Sequence, residues 1–411
     1  LDFAQHGVHV ETMCASLGLG PPLALALSGP ASKALLCYVA SVATWGEHRV
    51  VLRVRRSRCF WDALESAGDA PEGKREGQPK LFPQYVDAEG RVEAGEGHGP
   101  RKEFFGLVGA SMCEPGGAEG QQPLFTYNRA AGCWFYDQAA DDSPAARRAY
   151  RFAGWVMGAA LANRALVGLD LPPVFFEQLA AGPDFEPTLE SLRQFDPAAA
   201  AAVEAVRKLP RHDRRAMLEL DGHDPGMSHE EYEAASAREL LVGRVAWQAE
   251  SLRSGFYAAA RQEVLDQHGV TPGELRRMVV CARDPGGDLD VRATFRVVED
   301  DEMAEGGGSE PLSRALWGAV DGMGAEGKLA FVRFVTGSAR LPVPGAEVLR
   351  VELPFVAFGP AQMKRMLGTL PQAHTCENLL ELPNYWEALQ AARPGVPEGE
   401  LELELGEVVR E

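Results

Sequence analysis

Apolar residues recur at helical spacing through the first two thirds of the chain and give way to short strand-like runs in the last third. The stretch "VVLRVRRSRCFWDALES" alternates apolar and basic residues and then turns helical after Cys59, which predicts a strand followed by a helix. Residues 66–99 are rich in Gly, Glu and Pro and read as an exposed connection. After them "GPRKEFFGLVGASM" enters through Gly-Pro and sets Phe104, Phe105, Val108 and Met112 along one helical stripe. Arg101 and Glu103 read there as an ordinary salt-bridged helix start.

Capping grammar marks three further helices. In "DDSPAARRAYRFAGWVMGAALANRALVG" Ser143 is the N-cap, Pro144 opens the first turn, and Gly168 is expected just beyond the end. Ser228 and Glu231 form a capping box at "SHEE", and that helical stretch is expected to continue through Trp247 and Leu252 towards Phe256, with Gly255 as a break. "TPGELRRMVVCA" repeats the pattern with Thr271, Pro272 and Glu274.

The texture changes after "RDPGGDLDVRAT". A Gly- and acid-rich stretch precedes helices around Leu316–Val320 and Lys328–Val335, and "VLRVELPFVAF" and "NLLEL" read as strands. Helix first and mixed helix and strand later is an α+β pattern, with a cut near Asp290–Phe295. No internal repeat is visible.

Composition narrows the function classes. At 411 residues with 45% hydrophobic content, the chain can bury a large core in two or more compact units. Its formal charge of −18 argues against nucleic acid or an anionic membrane as principal partner, and for a partner with a basic face. Seven dispersed cysteines, with no CxxC and no Cys/His cluster, fit reduced thiols in the cytosol or nucleus, with neither a disulfide framework nor a zinc site. "PLALALSGPASKALLCYVASVA" is interrupted by Ser28, Gly29, Pro30 and Lys33, so no membrane span or signal peptide is expected. A first residue that is Leu rather than Met suggests a fragment of something longer.

One cysteine stands apart. In "LPQAHTCENLLELPNY" Cys376 lies among His374, Thr375, Glu377 and Asn378, ahead of an apolar run. A lone cysteine beside a strand reads first as packing, because free Cys is among the most buried residue types. Polar neighbours favour exposure instead. Were the segment extended, His374 and Cys376 would share a side and the imidazole would favour thiolate, while Glu377 would oppose it by like charge. A thiol with a pKa near ambient suits acyl transfer between thiols. Peptide hydrolysis also demands a fixed general acid and an oxyanion hole.

The same stretch resembles the C-terminal signature of HECT-type ubiquitin ligases: Leu-Pro, a short gap, His-Thr-Cys, an aromatic, Asn, then alternating Leu and Leu-Pro-x-Tyr. Further pieces resemble the family in order: "GPRKEFF", "PLFTYN", "FAGWVMGAALANRALVGLDLPPVFFEQL", "SLRSGFYAAA" and "ALWGAVDGMGAEGKLAFVRFVTGSARLP". The resemblance implies a bilobal α+β domain, with a larger, mainly helical N-lobe over residues 50–292 and a smaller C-lobe over 293–411, joined by a hinge. Residues 1–49 would form an N-terminal helical extension. It implies that Cys376 takes ubiquitin from a ubiquitin-conjugating enzyme as a thioester and passes it to a lysine of a protein substrate, with His374 and Thr375 in supporting roles. A carboxylate would assist the lysine, with Glu377, Glu381 and the tail acids as candidates. No metal or small cofactor is implied.

Three departures bear on activity. Glu377 stands where the family has an aromatic. Only Arg211–Gly226 stands where a longer strand-rich subdomain usually docks the conjugating enzyme. The family's C-terminal helix and terminal Phe are not legible in "WEALQAARPGVPEGELELELGEVVRE", which reads as an acidic alternating tail. Two alternatives stay open: a catalytically weak HECT-like scaffold, and a cysteine hydrolase pairing Cys376 with a distant histidine.

Overall fold

The computed structural model describes residues 47–68, 78–93, 98–118, 121–129, 131–163, 165–280, 289–338, 340–342, 344–345, 347–354, 365–375 and 377–410. They fall into two compact units, one within Cys37–Ala94 and Phe104–Ala282, the other within Gly95–Glu103 and Arg283–Glu411. Residues 1–46, most of the expected N-terminal extension, lie outside the described residues.

The first unit opens with strand β1 (Glu47–Val54), helix α1 (Cys59–Ala67) and strand β2 (Gln78–Tyr85). The two strands pair in parallel from Glu47 opposite Gln78 to Val54 opposite Tyr85. β2 overturns the reading of residues 66–99 as only a connection: Leu81 and Tyr85 are buried with Leu52 and Val54. Pro79 and Pro83 disguise it. Leu81 donates its backbone N–H to Asn163 Oδ1 at 3.1 Å, away from β1. By the strand's alternation Pro79 and Pro83 share that outward phase, where a missing N–H costs the ladder nothing.

Helix α2 (His98–Met112) buries Phe104, Phe105, Val108 and Met112 fully, as their stripe predicts. Strands β3 (Phe125–Asn128) and β4 (Cys133–Tyr136) form an antiparallel hairpin. Helix α3 (Pro144–Asn163) begins where Ser143 Oγ accepts the Ala146 N–H. It ends at Asn163, ahead of the expected stop at Gly168. Gly168 answers a different need, since a Cβ there would lie 2.2 Å from the Gly106 carbonyl oxygen.

Among the described residues, the α-helices that follow in this unit are α4 (Pro173–Ala181), α5 (Leu189–Phe195), α6 (Pro197–Ala205), α7 (Arg211–Leu220), α8 (His229–Leu241), α9 (Ala246–Ala260), α10 (Gln262–Gln267) and α11 (Pro272–Val279). The capping boxes at Ser228/Glu231 and Thr271/Glu274 are both formed. The expected break at Gly255 is not there. The chain breaks earlier, through a single 3-10 turn at Gly243–Val245, and Gly255 lies inside α9 where that helix crosses α3. A Cβ on Gly255 would stand 1.8 Å from Arg151 O, and one on Gly154 would stand 1.8 Å from Leu252 O. Glycine here brings two helix backbones into contact.

In the second unit Asp290 caps a single turn, α12 (Val291–Thr294), by accepting the Ala293 N–H at 3.0 Å. The expected cut near Asp290–Phe295 falls on this turn, whose Val291 and whose neighbour Phe295 are buried in the unit's core. Then follow β5 (Arg296–Glu299), α13 (Glu310–Asp321), α14 (Ala325–Thr336), β6 (Val348–Glu352), β7 (Gln372–His374), β8 (Leu379–Glu381), α15 (Tyr385–Ala392) and α16 (Glu398–Val408). The sheet order is β5-β6-β8-β7, parallel except for the β7–β8 hairpin. Leu316, Trp317, Val332, Leu349, Leu380 and Trp386 lie in the core beneath it.

The tail overturns the expectation of no legible C-terminal helix. Its Glu-Leu alternation has period two, yet Leu401 and Leu405, four apart, are 3% and 0% exposed while Leu403 between them is 75% exposed. That is one face of a helix. Among the described residues no helix is long and apolar enough to cross a membrane.

Candidate functional site

The His-Thr-Cys motif lies at the β7–β8 hairpin. His374 pairs with Leu379 across the two strands, so residues 375–378 form the loop between them. Cys376 itself lies outside the described residues, and the loop is known through its neighbours.

β7 ends at His374 and a turn follows at Thr375; the expected sharing of one side by His374 and Cys376 rests on a residue outside those described. The imidazole has another partner: His374 Nε2 lies 3.1 Å from Glu381 Oε2, a diagonal pair across the hairpin. Glu377 is exposed, and its N–H donates to His374 O at 3.0 Å, closing the turn. Thr375 packs against the end of α14, where Gly337 takes a left-handed φ of 74° and a Cβ would meet Thr375 Cβ at 3.3 Å. Of the candidate carboxylates, Glu381 is engaged with His374 and Glu377 faces solvent.

Asn378 anchors the loop. It is 4% exposed and holds a left-handed φ of 51°, a conformation Asn tolerates better than most residues. Its carbonyl accepts Arg350 N–H of β6 at 2.9 Å. Its side-chain amide donates to Val348 O at 3.0 Å and Glu347 Oε2 at 2.7 Å, and accepts from Lys102 Nζ at 2.8 Å. Lys102, in the segment grouped with this unit, also pairs with Glu347 Oε2 at 2.9 Å. Sequence reasoning passed over Lys102 and Glu347. Lys102 sits between the Arg101 and Glu103 that drew notice, and nothing local ties either residue to position 378.

The thiols among the described residues, Cys59, Cys113 and Cys133, are buried or partly buried. Cys59 is buried, with its sulfur 3.9 Å from Phe104 O. Burial, with Glu114 nearby, pushes the Cys113 thiol up to about 12. Burial pushes Cys133 up to about 11, with Arg276 opposing and Asp170 adding to the rise. Cys14, Cys37 and Cys281 lie outside the described residues. No group of three or more His, Cys, Asp or Glu is arranged to hold a metal ion among the described residues.

The short segment read as standing in place of the family's strand-rich docking subdomain is largely helical. α7 spans most of Arg211–Gly226, and Leu220 at its end is 85% exposed.

Comparison with known proteins adds the family. The model of the HECT-domain (ubiquitin-transferase) family matches residues 116–223 and 225–392. The chain is 24% identical over 361 residues to the probable E3 ubiquitin-protein ligase HERC4 of Mus musculus, covering 82% of this chain and 31% of that protein. It is likewise 24% identical over 364 residues to the human probable E3 ubiquitin-protein ligase HERC3, again 82% of this chain and 31% of the relative. Over 163 residues, 37% of this chain and 11% of the relative, it is 30% identical to the human E3 ubiquitin-protein ligase NEDD4. The chain thus spans under a third of the length of the first two relatives. With a family match over more than half of its residues, this chain belongs to the HECT-domain family of ubiquitin-protein ligases.

Proposed function

We propose that this chain is a ubiquitin-protein transferase domain that carries ubiquitin on Cys376 as a thioester. The Cys376 thiolate attacks the thioester carbonyl joining ubiquitin to a conjugating enzyme. The C–S bond to the conjugating enzyme breaks as the new one forms, and the departing thiolate takes up a proton. A neutral lysine amine of a protein substrate then attacks the second thioester and loses a proton. An isopeptide bond forms and Cys376 leaves as thiolate. A carboxylate near the loop would take that proton, with Glu377 and Glu381 the nearest in sequence.

The observation that carries this reading is the His-Thr-Cys motif on the hairpin loop of a chain in this family. The high values of Cys113 and Cys133 support it by leaving those thiols protonated near neutral pH. The two compact units support reading the chain as an N-lobe and a C-lobe that move about the segment ahead of Asp290, since Val291 and Phe295 belong to the second unit's core. His374, held by Glu381, then orients the loop rather than activating the thiol directly.

A second reading, a HECT fold retained as a scaffold without transfer, is favoured by Glu377 and by the helical region around α7. One gel separates the two. After incubation with activating enzyme, a panel of conjugating enzymes and ubiquitin, the first reading expects a ubiquitin adduct that disappears under reductant and is absent from Cys376→Ala. No adduct with any conjugating enzyme supports the scaffold.

A further inference from the structure

We propose that Lys102 and Glu347 act as an electrostatic positioning pair for the thiol-bearing loop, working through Asn378. The inference rests on Cys376 being the reacting thiol.

Asn378 is two residues from Cys376 and closes the loop onto β8 in a conformation that side chains other than Asn, Asp and Gly resist. Its amide fills an enclosed polar site. Both Lys102 Nζ and Asn378 Nδ2 converge on one oxygen, Glu347 Oε2, at 2.9 and 2.7 Å. The Lys102 ammonium reaches Asn378 Oδ1 as well, which fixes the amide's orientation. A neutral hydrogen bond would serve to pin an asparagine. An ammonium and a carboxylate, both roughly three quarters buried at 27% and 23% exposure, add opposed fields beside the loop.

Those fields act on a thiol in opposite senses. The cation favours thiolate and the carboxylate opposes it. Lys102→Met removes the cation and leaves Glu347 uncompensated, which raises the Cys376 pKa. Glu347→Gln keeps an oxygen acceptor for both donors while leaving Lys102 uncompensated, which lowers it. A scaffold holding the loop only by shape would respond in one direction to both changes.

The test is the pH profile of Cys376 alkylation by iodoacetamide, read at that residue by mass spectrometry, on the wild-type chain, Lys102→Met, Lys102→Arg, Glu347→Gln and Asn378→Gly. A pKa shift of half a unit changes the thiolate fraction below the pKa about threefold. Lys102→Met should slow alkylation near neutral pH about threefold or more, Glu347→Gln should quicken it by a similar factor, and Lys102→Arg should stay close to wild type. Asn378→Gly keeps the left-handed backbone and both charges but loses the amide that ties the loop to them, so combined with either change it should keep the direction of the shift and reduce its size. Lys102→Met and Glu347→Gln moving the profile in the same direction, or neither moving it, overturns the proposal. Ubiquitin thioester formation is scored alongside, and its failure in the wild-type chain rejects the thioester reading while the alkylation profile still judges the pair.

Discussion

Replacing Gly255 by Ala should destabilise the first unit severely, although alanine is the better helix former. The added methyl would sit 1.8 Å from Arg151 O, 2.7 Å from Arg151 C and 3.0 Å from Trp155 N, all backbone atoms of α3. Ordinary contact begins near 3.4 Å, so α3 and α9 must separate by about 1.6 Å, the difference between 3.4 and 1.8 Å. No side chain there can swing aside. Gaps of ~0.5–1 Å already forfeit a quarter to a half of each dispersion contact along the seam. Overpacking ordinarily costs about 1–3 kcal/mol and more when backbones must move, against which helix propensity returns up to ~1 kcal/mol. A net loss of about 2 kcal/mol or more follows, or at least roughly 4–8 °C in Tm for a unit of this size. Urea unfolding followed by the fluorescence of buried Trp155 measures it. Gly106→Ala in α2 is the control: it has no atom within 4 Å of the added Cβ and should be neutral or slightly stabilising. Because the two close approaches share one seam, Gly154→Ala and Gly255→Ala together should cost less than their sum. Gly255→Ala at wild-type stability would refute the close-crossing argument.

Other outcomes are as definite. Cys376→Ser should convert a reductant-labile ubiquitin adduct into, at most, a reductant-resistant oxyester, and a labile adduct on Cys376→Ala would remove that residue from the reaction. Glu377→Phe, which deletes an exposed negative charge beside the thiol, should speed alkylation of Cys376 near neutral pH; an unchanged or slower rate refutes the like-charge argument. Burial works to raise the Asp62 pKa, but side-chain and backbone hydrogen bonds from Arg55, with coulombic help from Arg55 and Arg58, hold it below the usual carboxylate value. Its contribution, about 1–2 kcal/mol after allowing for the half-exposed Arg55, is full above pH ~4 and lost as pH falls through the depressed folded value. Asp62→Asn should therefore lower stability at pH 7 and flatten its acid dependence, read by urea titrations at several pH values. Leu405→Ala, emptying a fully buried site in α16, should cost about 2–5 kcal/mol in the second unit, visible in its thermal midpoint.

What the sequence revealed was local. Ser228 with Glu231 and Thr271 with Glu274 announce helix starts because the bonds they form span three residues, and the stripe from Phe104 to Met112 is complete within its own helix. Gly255 misled because its reason lies across the helix crossing, in Arg151 and Trp155, far from it in the chain. β2 was hidden because its parallel partner lies on the other side of α1 and two prolines mark it as loop. Leu401, Leu403 and Leu405 satisfy a strand period and a helix period at once, and only burial against Leu389 and its neighbours decides between them. At the site, the motif pointed to the loop. Lys102 and Glu347 reach Asn378 from distant segments, and no spacing rule connects three residues so separated.

The helix that ends the second unit sets an order on biosynthesis. Leu401 and Leu405 belong to the same core as Leu316, Trp317 and Trp386. A nascent chain that has already emerged past β5, α13 and the whole hairpin therefore still lacks part of its own interior. The first unit has all its residues by Ala282 and can fold during synthesis. The second must wait for residues made after the His-Thr-Cys loop, so ribosomes that stall within the acidic tail would release chains with apolar side chains bared to chaperones. The His-Thr-Cys loop is thereby translated before the interior beneath it is complete.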